Sequence, residues 1–203
     1  MGWLKEIFGS SQGEIWSQIA AEIGGEHIDN GFWKHDQLRY RHREWEMLLD
    51  SHTVYGGQYS PSFTRLRAPF INKDGLYFRI YRESAFHGIA KYFGMQDIQI
   101  GDDYFDTKFI IKGNNVAKVR VLLADPKLQE LIREQPDIRF EIASPDDWSS
   151  TRLTDEFDEL KLECLGVITE TRRLRAMFDL FCCTLNRLVR IDSAYADDPN
   201  VTL

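Results

Sequence analysis

Cysteine is scarce in this chain: Cys164, Cys182 and Cys183 are the only three in 203 residues, an odd set with no C-x-x-C spacing. Neither a disulfide framework nor a cysteine zinc site follows from them. Long apolar runs are missing too, since nothing approaches the roughly 18 residues that a membrane span needs, and no signal-peptide pattern opens the chain. These absences predict a soluble, cytoplasmic protein. Strict alternation of strand and helix is lacking, which argues against a parallel dinucleotide-binding fold. A basic surplus is lacking as well, because the formal net charge is -7; neutralising a phosphate backbone needs a basic surface, so bulk nucleic-acid affinity is not expected.

The composition that remains is ordinary for a globular protein, with 43% hydrophobic and 28% charged residues. The length suits one large domain or two small ones. Charge is unevenly spread. Residues 1–30 hold one Lys against five acids, 31–95 hold ten Lys and Arg against six, and 96–203 hold fourteen against twenty-one. A basic middle between acidic flanks marks either an anion-facing surface or a half whose charges pair with the other half.

Hydrophobic periodicity organises the chain. Trp3, Leu4, Ile7 and Phe8 gather on one side of a short amphipathic segment, and Gly9 to Gly13 read as a flexible break. A helix follows from Glu14 to Ile23, stopped by Gly24-Gly25. From about Gln37 the period falls to two. Strands are expected through Trp45-Met47-Leu49, Thr64-Leu66-Ala68-Phe70 and Leu76-Phe78-Ile80, the last two joined as a hairpin by Asn72 to Gly75. Ser84 to Phe93 reads as a short helix, and Gly101 to Lys112 as a strand presenting Phe105, Thr107, Phe109 and Ile111. Asn115 and Asp125 introduce two helices, the second with Pro126 at its first position. Strands at Ile138 to Ile142 and Leu160 to Cys164 flank a loop over 144–155, and Thr169 is expected to cap a long apolar helix running to about Ile191.

These elements predict an α+β fold, an antiparallel sheet with helices packed on one face and a long apolar C-terminal helix. Residues 1–13 form the N-terminal segment and linker, and 14–192 a single α+β domain, or two α+β halves over 14–94 and 97–191. The acidic tail 193–203 carries Pro199 and is expected to be loosely held.

The stretch Phe105-Asp106-x-x-Phe109-Ile110-Ile111-Lys112-Gly113-Asn114, with Asp125-Pro126-x-Leu128 after it, resembles a group of uncharacterised bacterial proteins. The similarity extends through Thr64-Arg65-x-Arg67-Ala68-Pro69-Phe70, Gly94 to Ile98, and Arg190-Ile191-x-Ser193-Ala194-Tyr195. It implies a bacterial source and brings no activity, site or residue role.

Motifs with chemical meaning fail in context. Gly9-Ser10-Ser11-Gln12-Gly13 spells G-x-S-x-G, but no strand can precede it to build a nucleophile elbow. Asp102-Asp103-x-x-Asp106 spells an aspartate-rich diphosphate motif whose use needs a helix, whereas a turn and strand are expected there. The histidines lie at 27, 35, 42, 52 and 87, with no ligand spacing beyond a weak His42, Asp50, His52 set across a hairpin. Cys182-Cys183 lies inside a predicted helix, where neighbours point about 100° apart and a joint role would break the helix. No catalytic residue, metal site or cofactor is expected.

One surface feature remains. Alternation places Arg65, Arg67, Tyr77, Arg79 and Tyr81 on the strand face opposite Leu66 and Phe78, a set suited to an anionic ligand or acidic partner. The leading reading is therefore a non-enzymatic interaction or binding domain with an unknown protein partner or anionic ligand. An enzyme using the arginine face for an anionic ligand comes second, and a peripheral membrane protein third. The N-terminal segment is expected to dock through Trp3 and Phe8 on the folded body or across a homo-oligomer contact. Membrane binding and myristoylation are disfavoured there, because Lys5 is the lone basic residue and Glu6 stands where Ser or Thr is wanted.

Overall fold

Period-two alternation becomes a sheet, and most of the remaining apolar residues become the helices that cover it. The structure, a computed structural model, describes residues 11–30, 36–55, 60–82, 96–142 and 157–201. Trp3 and Phe8, the helix expected over 84–93 and the loop expected over 144–155 lie outside the described residues. In chain order the elements are α1 (Gln12–Ile23), β1 (Glu26–Ile28), β2 (Gln37–His42), β3 (Trp45–Thr53), β4 (Ser62–Phe70), β5 (Phe78–Tyr81), β6 (Gln96–Asp97), α2 (Asp103–Lys108), β7 (Ile110–Gly113), α3 (Val116–Leu123), α4 (Pro126–Arg133), β8 (Ile138–Ile142), β9 (Asp158–Leu165) and α5 (Thr171–Arg190). The expected α+β class is the one observed.

Among the described residues nine strands form one sheet in the order β1-β2-β3-β4-β9-β8-β5-β7-β6, and every neighbouring pair is antiparallel. The hairpin expected between β4 and β5 is absent, because β9 and β8 lie between them. Residues 71–77 cross three strand spacings instead, about 14 Å. The turn chemistry itself is real: Asn72 Oδ1 accepts from the Gly75 and Leu76 amides at 3.1 and 3.3 Å, and Gly75 takes φ 66°. Local signals specify the bend, and long-range pairing chooses the partner.

Strand residues on one face meet the helices. Leu38, Met47, Leu49, Leu66, Ala68, Leu162, Phe140 and Ile80 join Trp16, Ile19, Leu122, Leu131 and the inner residues of α5 in a continuous buried cluster. The long helix α5 lies centrally, with Phe181 against Phe140 at 5.9 Å between ring centroids and Phe178 edge-on to Tyr40 at 5.7 Å. Burial on more than one face explains its apolar richness. Its N-cap is Glu170, one residue after the expected Thr169, and Glu170 makes no side-chain capping bond.

Three local corrections follow. The glycine-serine break ends sooner than expected, because Ser11 and Glu14 form a capping box that starts α1 at Gln12. The strand expected over 101–112 begins only at Ile110, since Asp102 caps the short helix α2 by accepting from the Phe105 amide at 2.9 Å. Phe105 and Phe109 then pack with ring centroids 4.9 Å apart, an i,i+4 pair that alternation alone hid. The tail is held at its start: Ala194 bridges Asn72, the Tyr195 amide donates to Ile71 O at 3.1 Å, and Arg41 pairs with Asp198 at 2.5 Å.

Candidate functional site

Alternation that sends Thr64, Leu66 and Ala68 toward the helices sends Arg65 and Arg67 to the other face of β4. Register then decides their neighbours. Arg65 lies between Asp50 on β3 and Glu163 on β9, with Arg139 and Tyr81 farther along the same row on β8 and β5. The next row reads Arg67, Lys161, Glu141, Arg79 and Lys112 across β4, β9, β8, β5 and β7. Continued to Asp97 on β6, which lies 3.2 Å from Lys112, that row sets four cations against two carboxylates and places two like-charge pairs directly opposite each other, Arg67 with Lys161 and Arg79 with Lys112. Such pairs destabilise a sheet unless neighbouring charges or a ligand compensate them.

Neighbouring rows supply part of the compensation. Arg65 grips Asp50 bidentately, Nε to Oδ1 at 2.9 Å and Nη2 to Oδ2 at 2.8 Å, and Arg67 Nη2 shares the same Oδ2 at 3.0 Å. Arg67 Nη1 also lies 3.5 Å from Glu159 Oε1. Glu141 Oε1 lies 3.0 Å from Arg139 and 3.2 Å from Lys161, while its Oε2 accepts from Arg79. Glu163 holds Arg139 and Lys161 at 3.9 Å each and His52 at 3.7 Å.

The carboxylates feel this crowd differently. Burial alone would push Glu141 up, but Arg139, Lys161 and Arg79 together outweigh it and hold the group below the ordinary glutamate range. Glu159 goes the other way, because burial exceeds the pull of Arg67, Lys161 and Arg65. Of the two carboxylates beside Arg67, Glu159 is thus the weakened one. Burial, then Arg65, disfavour the charged form of His52 and lower its pKa despite Glu163 and Asp50.

Access is graded. Side-chain exposure is 1% at Arg79, 13% at Arg67, 24% at Arg65 and 29% at His52. Of the five residues expected from sequence, Arg65 and Arg67 therefore sit at the accessible end and Arg79 at the buried end. Tyr81 is 8% exposed in the row of Arg65, and Tyr77 lies just before β5, partly packed on the core with its hydroxyl 3.5 Å from Asp158. Sequence reasoning missed Glu141, Arg139, Glu159, Lys161 and Glu163. The alternating charges of β8 and β9, E-L-K-L-E in the latter, were the available signal.

Other candidates disperse. His42 stacks on Trp45 and contacts Asn186 of α5, while His52 stacks on Phe63 on the opposite face, so the two do not meet. Asp102 and Asp106 do lie on or beside a helix, yet Asp102 pairs with Arg133 and Asp106 accepts from the Ile100 and Gly101 amides. Among the described residues no group of three His, Cys, Asp or Glu side chains is placed to hold a metal ion. Burial pushes the Cys164 thiol up to about 11 and the Cys182 thiol up to about 12, which leaves both protonated and unreactive at neutral pH. Among the described residues no helix is long and apolar enough to cross a membrane.

No family model and no curated protein matches the chain in sequence. Among solved structures it is similar to the crystal structure of the mycobacterial trehalose monomycolate transport factor A, TtfA, at a TM-score of 0.44 and 10% identity over 85% of this chain and 95% of that one. A similarity of that size says nothing about ligand or activity.

Proposed function

We propose that this protein is a non-enzymatic binding domain that takes an anionic ligand at the Arg65 and Arg67 end of its charged sheet face. The supporting observation is the directly opposed pair of Arg67 and Lys161 on β4 and β9, which a bound anion would relieve. Guanidinium forks suit a carboxylate or phosphate, and Asp50 already shows how one carboxylate spans both arginines. The carboxylates of the face are engaged in ion pairs, and the protonated Cys164 and Cys182 thiols do not favour nucleophilic chemistry. The sheet that runs from β1 to β6 without a break supports reading residues 14–192 as one domain.

Retention on a polyanion matrix at low salt tests the reading. Wild type is expected to be retained, Arg65→Lys with Arg67→Lys to keep most of that retention, and Arg65→Ser with Arg67→Ser to lose it while still folded by circular dichroism. Equal retention of the folded serine variant, or no retention of wild type, would overturn it.

A further inference from the structure

The charged face does not stay charged to its end. Phe63 precedes Arg65 by two residues on β4 and so shares its face, and Leu165 stands two residues beyond Glu163 at the end of β9. On β3 the ladder continues past Thr53, because the Val54 amide donates to Pro61 O at 3.0 Å, which puts Val54 on the face of Asp50 and His52. Val54 is 50% exposed and Leu165 40%, so both rank among the large apolar side chains this protein leaves in water. His52 stands directly opposite Phe63 and stacks on it with ring centroids 5.5 Å apart, in the row next to that of the bidentate Arg65. Since β3, β4 and β9 are consecutive, the apolar strip spans two strand spacings, about 10 Å, which matches the length of a fused two-ring body.

Resting on the anion reading of this face, we propose that the ligand is a small organic anion, its acidic group on Arg65 and its apolar body over Val54, Phe63 and Leu165. The graded exposure supports this placement, since the cations nearest the apolar strip are the ones that solvent reaches. An inorganic anion would use the arginines and leave the strip wet. An organic one removes both the cationic excess and the exposed apolar surface. Covering roughly 60 Å² of apolar surface strengthens binding by about tenfold.

Titration calorimetry on the whole chain with sodium 2-naphthoate, neutral 2-naphthol and sodium sulfate tests the proposal. Naphthoate is expected to bind about tenfold tighter than sulfate and than naphthol. Val54→Ser with Leu165→Ser, both at exposed positions, should weaken naphthoate several-fold and leave sulfate unchanged, whereas Arg65→Ser should weaken both anions. Equal affinities for naphthoate and sulfate, untouched by the apolar substitutions, would overturn the organic-anion proposal while preserving the anion site. Naphthol binding as tightly as naphthoate would overturn it in favour of a purely apolar patch. If neither anion binds, both readings fall.

Discussion

The two faces of one sheet are built from alternate residues of the same strands, yet they follow different physics. On the helix side, Leu66, Leu162, Phe140 and Ile80 are fully buried, and any well-packed apolar neighbour satisfies them. On the other side, Lys161, Glu141 and Arg79 are nearly as buried but depend on specific partners at specific distances. Taking charges out of water costs about as much as their attraction returns, so an apolar face would have served stability as well. The helix side thus accounts for the fold, and the charged side calls for a purpose beyond it.

The comparison is broken most forcefully by removing one centre from each face. Phe181→Ala should cost about 3–5 kcal/mol through a cavity beneath α5. Glu141→Ala should cost a similar 3–5 kcal/mol by removing the buried carboxylate that Arg79, Arg139 and Lys161 share. Urea denaturation measures both. A loss below 1 kcal/mol for Glu141→Ala would mean that water already screens the lattice.

Acidity sharpens the contrast, because Glu141 and His52, which both shift, lie on the charged face. Glu141 is held below its ordinary range, so its contribution is present at neutral pH and is lost as pH falls through a value under about 4.3. His52 is lowered as well. Asp50 on its own strand, Arg65 and Phe63 from β4, and Glu163 and Lys161 from β9 face it, and burial with Arg65 dominates. The unfolded chain therefore takes up a proton near pH 6.5 that the folded one resists, and stability declines as pH drops below that value, by at most about 1.4 kcal/mol per pH unit. Thermal midpoints from pH 7.5 to 3.5 should show both windows. Glu141→Gln should flatten the lower one and His52→Gln the upper one; unchanged slopes in either variant would assign the titration elsewhere.

The smallest expected effect lies away from both faces. Asp125 caps α4 by accepting from the Lys127 and Leu128 amides at 2.9 and 3.3 Å. Asp125→Ala should cost about 1 kcal/mol and leave anion affinity unchanged. A change in affinity would show that the helical layer communicates with the charged one.

Much of the fold was legible in the sequence because each signal was local. Alternation along β3, β4, β8 and β9, Pro126 after Asp125, and the glycine stop at Gly24 are readable without partners. Strand order is a different kind of information. Asn72 to Gly75 announces a bend equally well whether the next strand pairs beside β4 or three places away. The site inherits that limit: Arg65 and Arg67 could be placed on a face, but the Glu159 beside Arg67 and the Lys161 that opposes it come from β9, in pairings about 100 residues distant in sequence. The helix α2 was hidden for a separate reason, since Phe105 and Phe109 satisfy a period of two and a spacing of four at once.

Strand order also sets a timetable. As the chain leaves the ribosome, β4 is finished early, yet β9, its neighbour on the side away from β3, is among the last strands to be made. Through that interval β4 presents an unpaired edge, the kind of template on which nascent chains stick to one another. The edge bears Arg65, Arg67 and Pro69, and a strand that is twice cationic and lacks one amide donor is a poor template for a second copy of itself. The residues we assign to ligand capture in the finished protein would thus guard the unfinished one, and replacing them should reduce soluble yield during synthesis even where the purified variant is stable.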